Sequence, residues 1–321
     1  MSRLKLLGLA SGVILVSAYW LPSDEDAAVA DVEKMGGYVV PKERRFNGPV
    51  TEVYLYCNDQ VTDADLRKLA PLTKCRILRL NETQIGDAGL KELAPLKNLT
   101  DLDLWDTRVT DAGVKELATF KNLTELNLGF TKITDACMKD LATFKKLTVL
   151  SLQGTQVTDA GLGELTALEH LEELDLSNMQ ITGNGLKHLG SLKKLTRLIV
   201  NYNKLTDADM TEIAKLEQLT DLRLDGAKVT DEGLKSLGAL RKLTSLHLSS
   251  AGITDSGIDE LTLLKKLTWL DIALTAATDA GIRKLSVLKN LEFIDLSRLK
   301  VTNAAVKELQ NALPKCWIRR E

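Results

Sequence analysis

Leucine recurs at one fixed interval along most of this 321-residue chain, at Leu99, Leu123, Leu147, Leu171, Leu195, Leu219, Leu243, Leu267 and Leu291, without one insertion. With these as position 1 of a unit, apolar residues also recur at positions 4, 6, 11, 16, 19 and 22, as in Leu102, Leu104, Val109, Val114, Leu117 and Phe120. Cys75 starts an earlier copy, and Val50 starts one before that, with one extra residue between Leu55 and Val61. The chain therefore holds about 11 repeats of 24 residues, and its length reads as one array rather than two domains.

Two periodicities alternate within each unit. Apolar residues at positions 4 and 6 have the spacing of a strand with one buried face, whereas positions 16, 19 and 22 have helical or 3₁₀ spacing. Between them lies a Thr-Asp-x-Gly turn, as in Thr110-Asp111-Ala112-Gly113. Its Thr or Asp is expected to cap the helix start, where an acidic charge also suits the helix dipole. The Gly is not required for a positive φ, because Asp65, Cys137, Asp209 and Ala305 occupy the same slot; close packing between units accounts for it better. The few apolar side chains of one unit cannot offset the entropy of ordering its whole length, so neighbouring units must seal each other's leucines. The strands then line up in parallel, with right-handed crossovers.

The pattern Leu-x-x-Leu-x-Leu-x-x-Thr-x-Ile/Val-Thr-Asp-Ala-Gly-Leu resembles the leucine-rich repeats of exported bacterial proteins, and is similar to the cysteine-containing subclass of F-box proteins. The resemblance covers residues 50–313 and implies an α/β, right-handed leucine-rich-repeat solenoid with a curved, parallel concave sheet and helices on the convex side. It departs from the family at position 9, where Asn or Cys is usual and this chain has Thr83, Thr107, Thr131 and Thr155, with Asn at Asn203. A threonine hydroxyl can bond one neighbouring backbone group, so a weaker ladder is expected there, interrupted at Met179, Ala227, Ala251 and Leu299.

Both ends read as caps. Residues 19–49 supply a short helix from Asp24 to Met35, with Ala28, Val29, Val32 and Met35 inward, and a strand at Tyr38-Val39-Val40. Residues 314–321 follow Pro314 with a closing strand at Cys316-Trp317-Ile318. Residues 1–18 read as a signal peptide: Arg3 and Lys5 precede the apolar run Leu6–Val16, and Val16-Ser17-Ala18 suits cleavage after Ala18. An uncleaved N-terminal anchor is the alternative, although Leu6 to Leu21 falls short of the roughly 20 residues needed to span a bilayer. The mature chain is thus expected to be exported (periplasmic, extracellular or cell-surface), without a membrane span.

The 42 basic and 44 acidic side chains nearly cancel, which gives no support to nucleic-acid binding. Cys57, Cys75, Cys137 and Cys316 have no CxxC spacing and there are only three histidines, so neither metal nor cofactor is expected. Cys75 and Cys316 read as apolar filler. Nucleotide-binding and hydrolase motifs are absent, and the glycines belong to the repeat turn. His247 beside Asp271 could form an oriented base, but Ser245 and Ser249, the nearby hydroxyls, lie on a flat surface without oxyanion donors, so no enzyme is expected.

Binding is the remaining class. From the unit starting at Cys75 onward, outward positions 3, 5, 7 and 8 carry eleven acids, from Glu82 and Asp101 to Asp271 and Asp295, against Arg79, Arg197, Arg223 and Arg298. An acidic concave face favours a protein partner with a basic patch. Trp105 and Phe130, Trp269 and Phe293, and Tyr202 fall on these positions and are candidate anchors, with Asp103 and Asp271 beside them and His247 in the same row. The leading expectation is a non-catalytic, monomeric, extracytoplasmic scaffold for protein–protein interaction. One alternative is carbohydrate or anionic-polymer binding at a rim of lysines such as Lys97, Lys121, Lys145, Lys193, Lys265 and Lys289. Another, an F-box-like substrate receptor for ubiquitination, fits poorly with an export signal and about thirty residues before the first repeat.

Overall fold

The structure, a computed structural model, describes residues 23–41 and 48–320. The expected signal segment lies outside the described residues. Ser23 caps the first helix, α1 (Asp24–Lys34), through a capping box with Asp26, and α1 buries Ala28 and Val32 against the first repeat. Thirteen strands then form one sheet in strict chain order. They are β1 (Tyr38–Val40), β2 (Glu52–Tyr54), β3 (Ile77–Arg79), β4 (Asp101–Asp103), β5 (Glu125–Asn127), β6 (Val149–Ser151), β7 (Glu173–Asp175), β8 (Arg197–Ile199), β9 (Asp221–Arg223), β10 (Ser245–His247), β11 (Trp269–Asp271), β12 (Phe293–Asp295) and β13 (Trp317–Arg319). Only β1 pairs antiparallel, with β2; every later pair is parallel and in repeat register, as in Leu150↔Leu174. The eleven repeat units supply β2 to β12, and each returns through a short α-helix or 3₁₀ turn on the convex side.

The central strand residue of each unit faces a continuous core in which Leu78, Leu102, Leu126, Leu150, Leu174 and Leu198 have no exposed surface beyond 1%. Cys75, Cys137 and Cys316 are buried in this core, and all four cysteines are free thiols. At the far end the helix Asn303–Ala312 stops before Pro314, and β13 closes the sheet.

The units are joined at the start of each helix by a bond between neighbours. Thr110 caps its own helix by accepting from the Ala112 amide, as expected. Its partner Asp111 reaches forward instead of capping that helix: the Asp111 carboxylate accepts from the Thr134 amide at 2.8 Å and the Thr134 hydroxyl at 2.8 Å. The same pair of bonds joins Asp87 to Thr110, Asp135 to Thr158, Asp159 to Thr182, Asp207 to Thr230, Asp231 to Thr254, Asp255 to Thr278 and Asp279 to Thr302. The glycine of the turn makes room for this carboxylate. A Cβ on Gly113 would lie 2.4 Å from Asp87 Oδ1, and one on Gly257 would lie 2.3 Å from Asp231 Oδ1.

Cys137 and Ala305 take the glycine slot beside a borrowed carboxylate, whereas Asp209 and Asp65 supply the carboxylate from that slot themselves. Gly183 stands where an Asp would serve the next unit, and that unit carries Asp209 where most others have Gly. Asp209 accepts from the Thr206 amide and hydroxyl at 2.7 and 2.9 Å and reaches back to the Gly183 amide at 2.7 Å. The first unit has no predecessor in the repeat, and there Asp65 supplies the carboxylate to Thr62 in the same way.

Two further ladders run along the array. At position 2 the hydroxyls of Thr124, Thr148, Thr220, Thr244 and Thr268 each donate to the carbonyl at the same position of the preceding unit. At position 9 the expected threonine ladder between units is absent. Thr83, Thr107, Thr131 and Thr155 donate instead to the carbonyl three residues back, in their own unit. Asn203 does bridge, donating to Leu176 O at 2.7 Å and accepting from the Ile181 amide at 3.2 Å. Reach explains the difference, because the amide is one atom longer and offers both a donor and an acceptor.

Register is open to a stability test. Leu174→Ala should lower stability by about 2–5 kcal/mol in a denaturant melt. Asp175→Ala faces outward and removes only the acceptor of the Ser177 amide, so it should lower stability by about 1 kcal/mol or less. Equal losses would refute the assigned strand faces.

Candidate functional site

Each repeat strand is three residues long, so only positions 3 and 5 project from the sheet itself. Positions 7 and 8 fall in the turn beyond it, and position 8 is left-handed in every unit. Nine non-glycine residues from Cys57 to Arg298 have φ between +49° and +64° there, and Gly154 and Gly226 occupy the same position at +65° and +70°. The candidate residues therefore divide into two sets. Asp103, His247, Trp269, Asp271 and Phe293 stand on the sheet; Trp105, Phe130 and Tyr202 line the edge where the chain leaves it.

At that edge the Trp105 and Phe130 rings meet edge to face, with centroids 5.3 Å apart. Each edge aromatic leans over a glycine of the next unit. A Cβ on Gly129 would come within 2.6 Å of the Trp105 ring, one on Gly154 within 2.7 Å of Phe130, and one on Gly226 within 2.6 Å of Tyr202. Tyr202 is the most exposed of the three, at 63%. With strands about 4.8 Å apart, seven strand spacings separate Trp105 from Trp269, so the two aromatic groups are about 30 Å apart and form separate patches.

The patch near the C-terminal end is a stack. Trp269 lies flat on Phe293 with centroids 3.9 Å apart, Trp317 meets the other side of Phe293 at 5.3 Å, and the His247 ring lies 20° from parallel to Trp269 at 6.1 Å. Phe293 points outward as expected but is buried between the two tryptophans, so Trp269 and Trp317 supply the exposed area. Trp317 was legible only as part of a cap. A third cluster, absent from the sequence reading, joins Tyr38, Tyr54 and Tyr56 at the opposite end. Tyr38 and Tyr54 stack at 4.5 Å, and Tyr56 meets both edge on. The signal for it was present, since Tyr54 and Tyr56 occupy positions 5 and 7 of the first unit.

Between these clusters the sheet is acidic. A shallow groove of about 450 Å³ is lined by Arg79, Asp101, Asp103, Trp105, Glu125, Glu173 and Asp175, among others. Arg79 holds Asp101 through two bonds of 2.8 and 2.7 Å. Even so, burial, helped by the neighbouring Glu125 carboxylate, pushes Asp101 up to about 6. Burial likewise raises Asp103, and burial with the nearby Asp295 and Asp225 charges raises Asp271 to about 6. His247 is lowered by burial and by Arg223. The arginines on the sheet are already engaged: Arg197 with Glu173 and Asp221, Arg223 with Asp221, and Arg319 with Asp295. They do not reverse the sign of the face.

The lysine rim is largely occupied. Lys145 donates to Ala167 O, Arg241 to Leu263 O and Lys289 to Ala312 O, each a carbonyl at the end of the next unit's helical turn. Lys146 donates to Asn122, Lys193 to Gly190 O, and Lys194 contacts His170. These cations serve the last helical carbonyls, which favours a structural part for the rim.

The family model described as a leucine-rich repeat region matches residues 57–310, and the chain belongs to that family. An internalin from Listeria monocytogenes is similar over 93% of this chain and 94% of its own, at 21% identity and a TM-score of 0.56. Internalin C2 from the same organism is similar over 62% of this chain and 81% of its own, at 27% identity and a TM-score of 0.51. A TDR receptor shares the fold over 82% of this chain and 46% of its own, at 14% identity and a TM-score of 0.54. No curated protein matches the sequence.

The groove's charge is expected to change with pH. Asp101 titrates near 6, above the ordinary value of about 3.9, so the groove gains negative charge as pH rises from about 5 to 7. Carboxyl carbon NMR should place the Asp101 midpoint near 6 in the native chain and lower in Glu125→Gln. A native midpoint near 4 would contradict this account.

Proposed function

We propose that this chain is a non-catalytic, extracytoplasmic scaffold that acts as a single chain and binds a protein partner on its concave sheet. The observation that carries the reading is the pairing of accessible aromatic rings with carboxylates on a rigid backbone: half-buried Trp105 beside Asp103 in the acidic groove, and exposed Trp269 beside Asp271 near the C-terminal end. Rings with few torsions give contact area at little entropic loss, and adjacent carboxylates select a basic side chain. Repeat solenoids bind characteristically through such extended concave surfaces. The partner is accordingly a protein with a basic patch.

The extracytoplasmic part rests on the basic start at Arg3 and Lys5, the apolar run that follows, and Val16-Ser17-Ala18. Among the described residues no helix is long and apolar enough to cross a membrane. The non-catalytic part rests on the surroundings of His247, whose nearest hydroxyl residues lie on an open sheet.

A partner captured by cross-linking from the extracellular or periplasmic fraction should be identified, purified and titrated against the native chain, Trp105→Ala and Trp269→Ala. At least one variant should lose more than about 2 kcal/mol of binding with its melt unchanged. Full affinity in both would overturn the concave-face reading. Binding of a sulfated polysaccharide that falls steeply with salt and is lost on Lys121→Ala and Lys242→Ala would establish the rim instead.

A further inference from the structure

Three side chains from successive units converge on one point of the concave sheet. His247 on β10 lies in register with Asp271 on β11, and Asp225 follows β9 by two residues. One imidazole nitrogen and one oxygen from each carboxylate lie within 4.8 Å of one another. No other such group of His, Cys, Asp and Glu occurs among the described residues.

The surroundings hold each side chain in place. Asp225 Oδ1 accepts from the Ser249 amide at 2.9 Å, and Asp271 Oδ1 accepts from the Ala273 amide at 2.9 Å. Each carboxylate is thus anchored through one oxygen, and neither forms an ion pair among the described residues. The His247 ring is oriented by its near-parallel contact with Trp269. Arg223, the nearby cation, is turned to Asp221 with Nε 3.5 Å from Oδ1. Outer contacts that fix a ligand's orientation are what a metal centre requires.

We propose that Asp225, His247 and Asp271 bind a single zinc-class divalent ion, with the remaining coordination open toward the concavity. The donor set selects the class. One imidazole with two carboxylates suits a borderline ion such as Zn²⁺, whereas Ca²⁺ and Mg²⁺ take six or more oxygens or retain most of their water. Ligand bonds of about 2.0–2.2 Å put tetrahedral ligand atoms about 3.3–3.6 Å apart. The three groups must therefore close from their present spread by side-chain rotation, on strands that backbone hydrogen bonds keep in register. Water, or a side chain from a bound partner, completes the shell.

Isothermal titration of the purified full chain with ZnCl₂ tests the site, with MgCl₂ and CaCl₂ in parallel. Cys57→Ala serves as the background, because the exposed Cys57 thiol can bind zinc by itself. One equivalent of Zn²⁺ should bind in that background, and neither Mg²⁺ nor Ca²⁺ should displace it at equal concentration. His247→Gln and Asp271→Asn should each weaken binding about tenfold or more; Asp271→Asn keeps an oxygen for the Ala273 amide, and a matched melt confirms folding of both. Should either variant fail to fold, Asp225→Asn replaces it. Added Co²⁺ should broaden the His247 ring signals before those of His170 and His188. Absence of saturable one-to-one binding, full affinity in the variants, or broadening that begins at His170 or His188 would overturn the assignment.

Discussion

Most repeats in this chain borrow the carboxylate that closes their own helix start. A helix of four to seven residues, such as Asp159–Leu162 or Asp231–Leu237, is too short to stand alone and leaves most of its amides without internal partners. Threonine satisfies one of them, but the threonine's own amide and hydroxyl then need an acceptor, and the preceding unit provides it. The bond therefore does two things. It completes the cap, and it fixes the offset between neighbours at one value, which the parallel register of the sheet repeats along the entire array. The prevalence of glycine in the turn follows from it, because a Cβ on Gly113 or Gly257 would crowd the borrowed carboxylate; Cys137 and Ala305 show that the bond also forms beside a small side chain. Gly183 and Asp209 show the rule under exchange: where the donor unit lacks the acid, the recipient unit carries it at the glycine position.

Periodicity made the architecture legible. Leu-x-Leu spacing placed the central residue of every strand, and the constant interval between repeats placed the strands in sequence order. The caps were legible from Gly36-Gly37 and from Pro314, which end helices for reasons of backbone conformation alone. Bonds between units were less so. A sequence shows Thr and Asp side by side and suggests that they serve one helix; that Asp111 serves Thr134 appears only when units are stacked. The left-handed residue at position 8 was also hidden, because Glu82, Leu274 and Arg298 hold it without glycine. The bonds from the Glu82 and Leu274 amides to the next unit, at 2.8 Å to Trp105 O and 3.0 Å to Ser297 O, hold a conformation that the side chain alone disfavours.

The candidate site was legible as a set of outward positions and not as a geometry. Alternation identified Trp269 and Asp271 as outward, yet it could not show that Phe293 would be covered by Trp317, or that Trp105 and Tyr202 would sit in the turn and not on the strand. It also gave no means of seeing Asp225, His247 and Asp271 as one group, since each belongs to a different unit of the chain. Their proximity is a product of stacking. The same stacking concentrates carboxylates at strand spacing, and the raised Asp101 and Asp271 groups record the resulting repulsion and burial.

The dependence of each unit on its neighbour is tested most directly by exchanging the two residues at which the chain itself departs from the pattern. Asp209→Gly removes the acceptor of the Thr206 amide and hydroxyl and of the Gly183 amide, and should lower stability by about 1–2 kcal/mol. Gly183→Asp alone brings a second carboxylate and a Cβ to within 2.6 Å of Asp209 Oδ1, and should also destabilise. The double variant Gly183→Asp, Asp209→Gly recreates the arrangement of the other units, so its denaturant midpoint should return close to that of the native chain, with a coupling above about 1 kcal/mol. Additive losses, with the double variant the least stable of the three, would contradict the account.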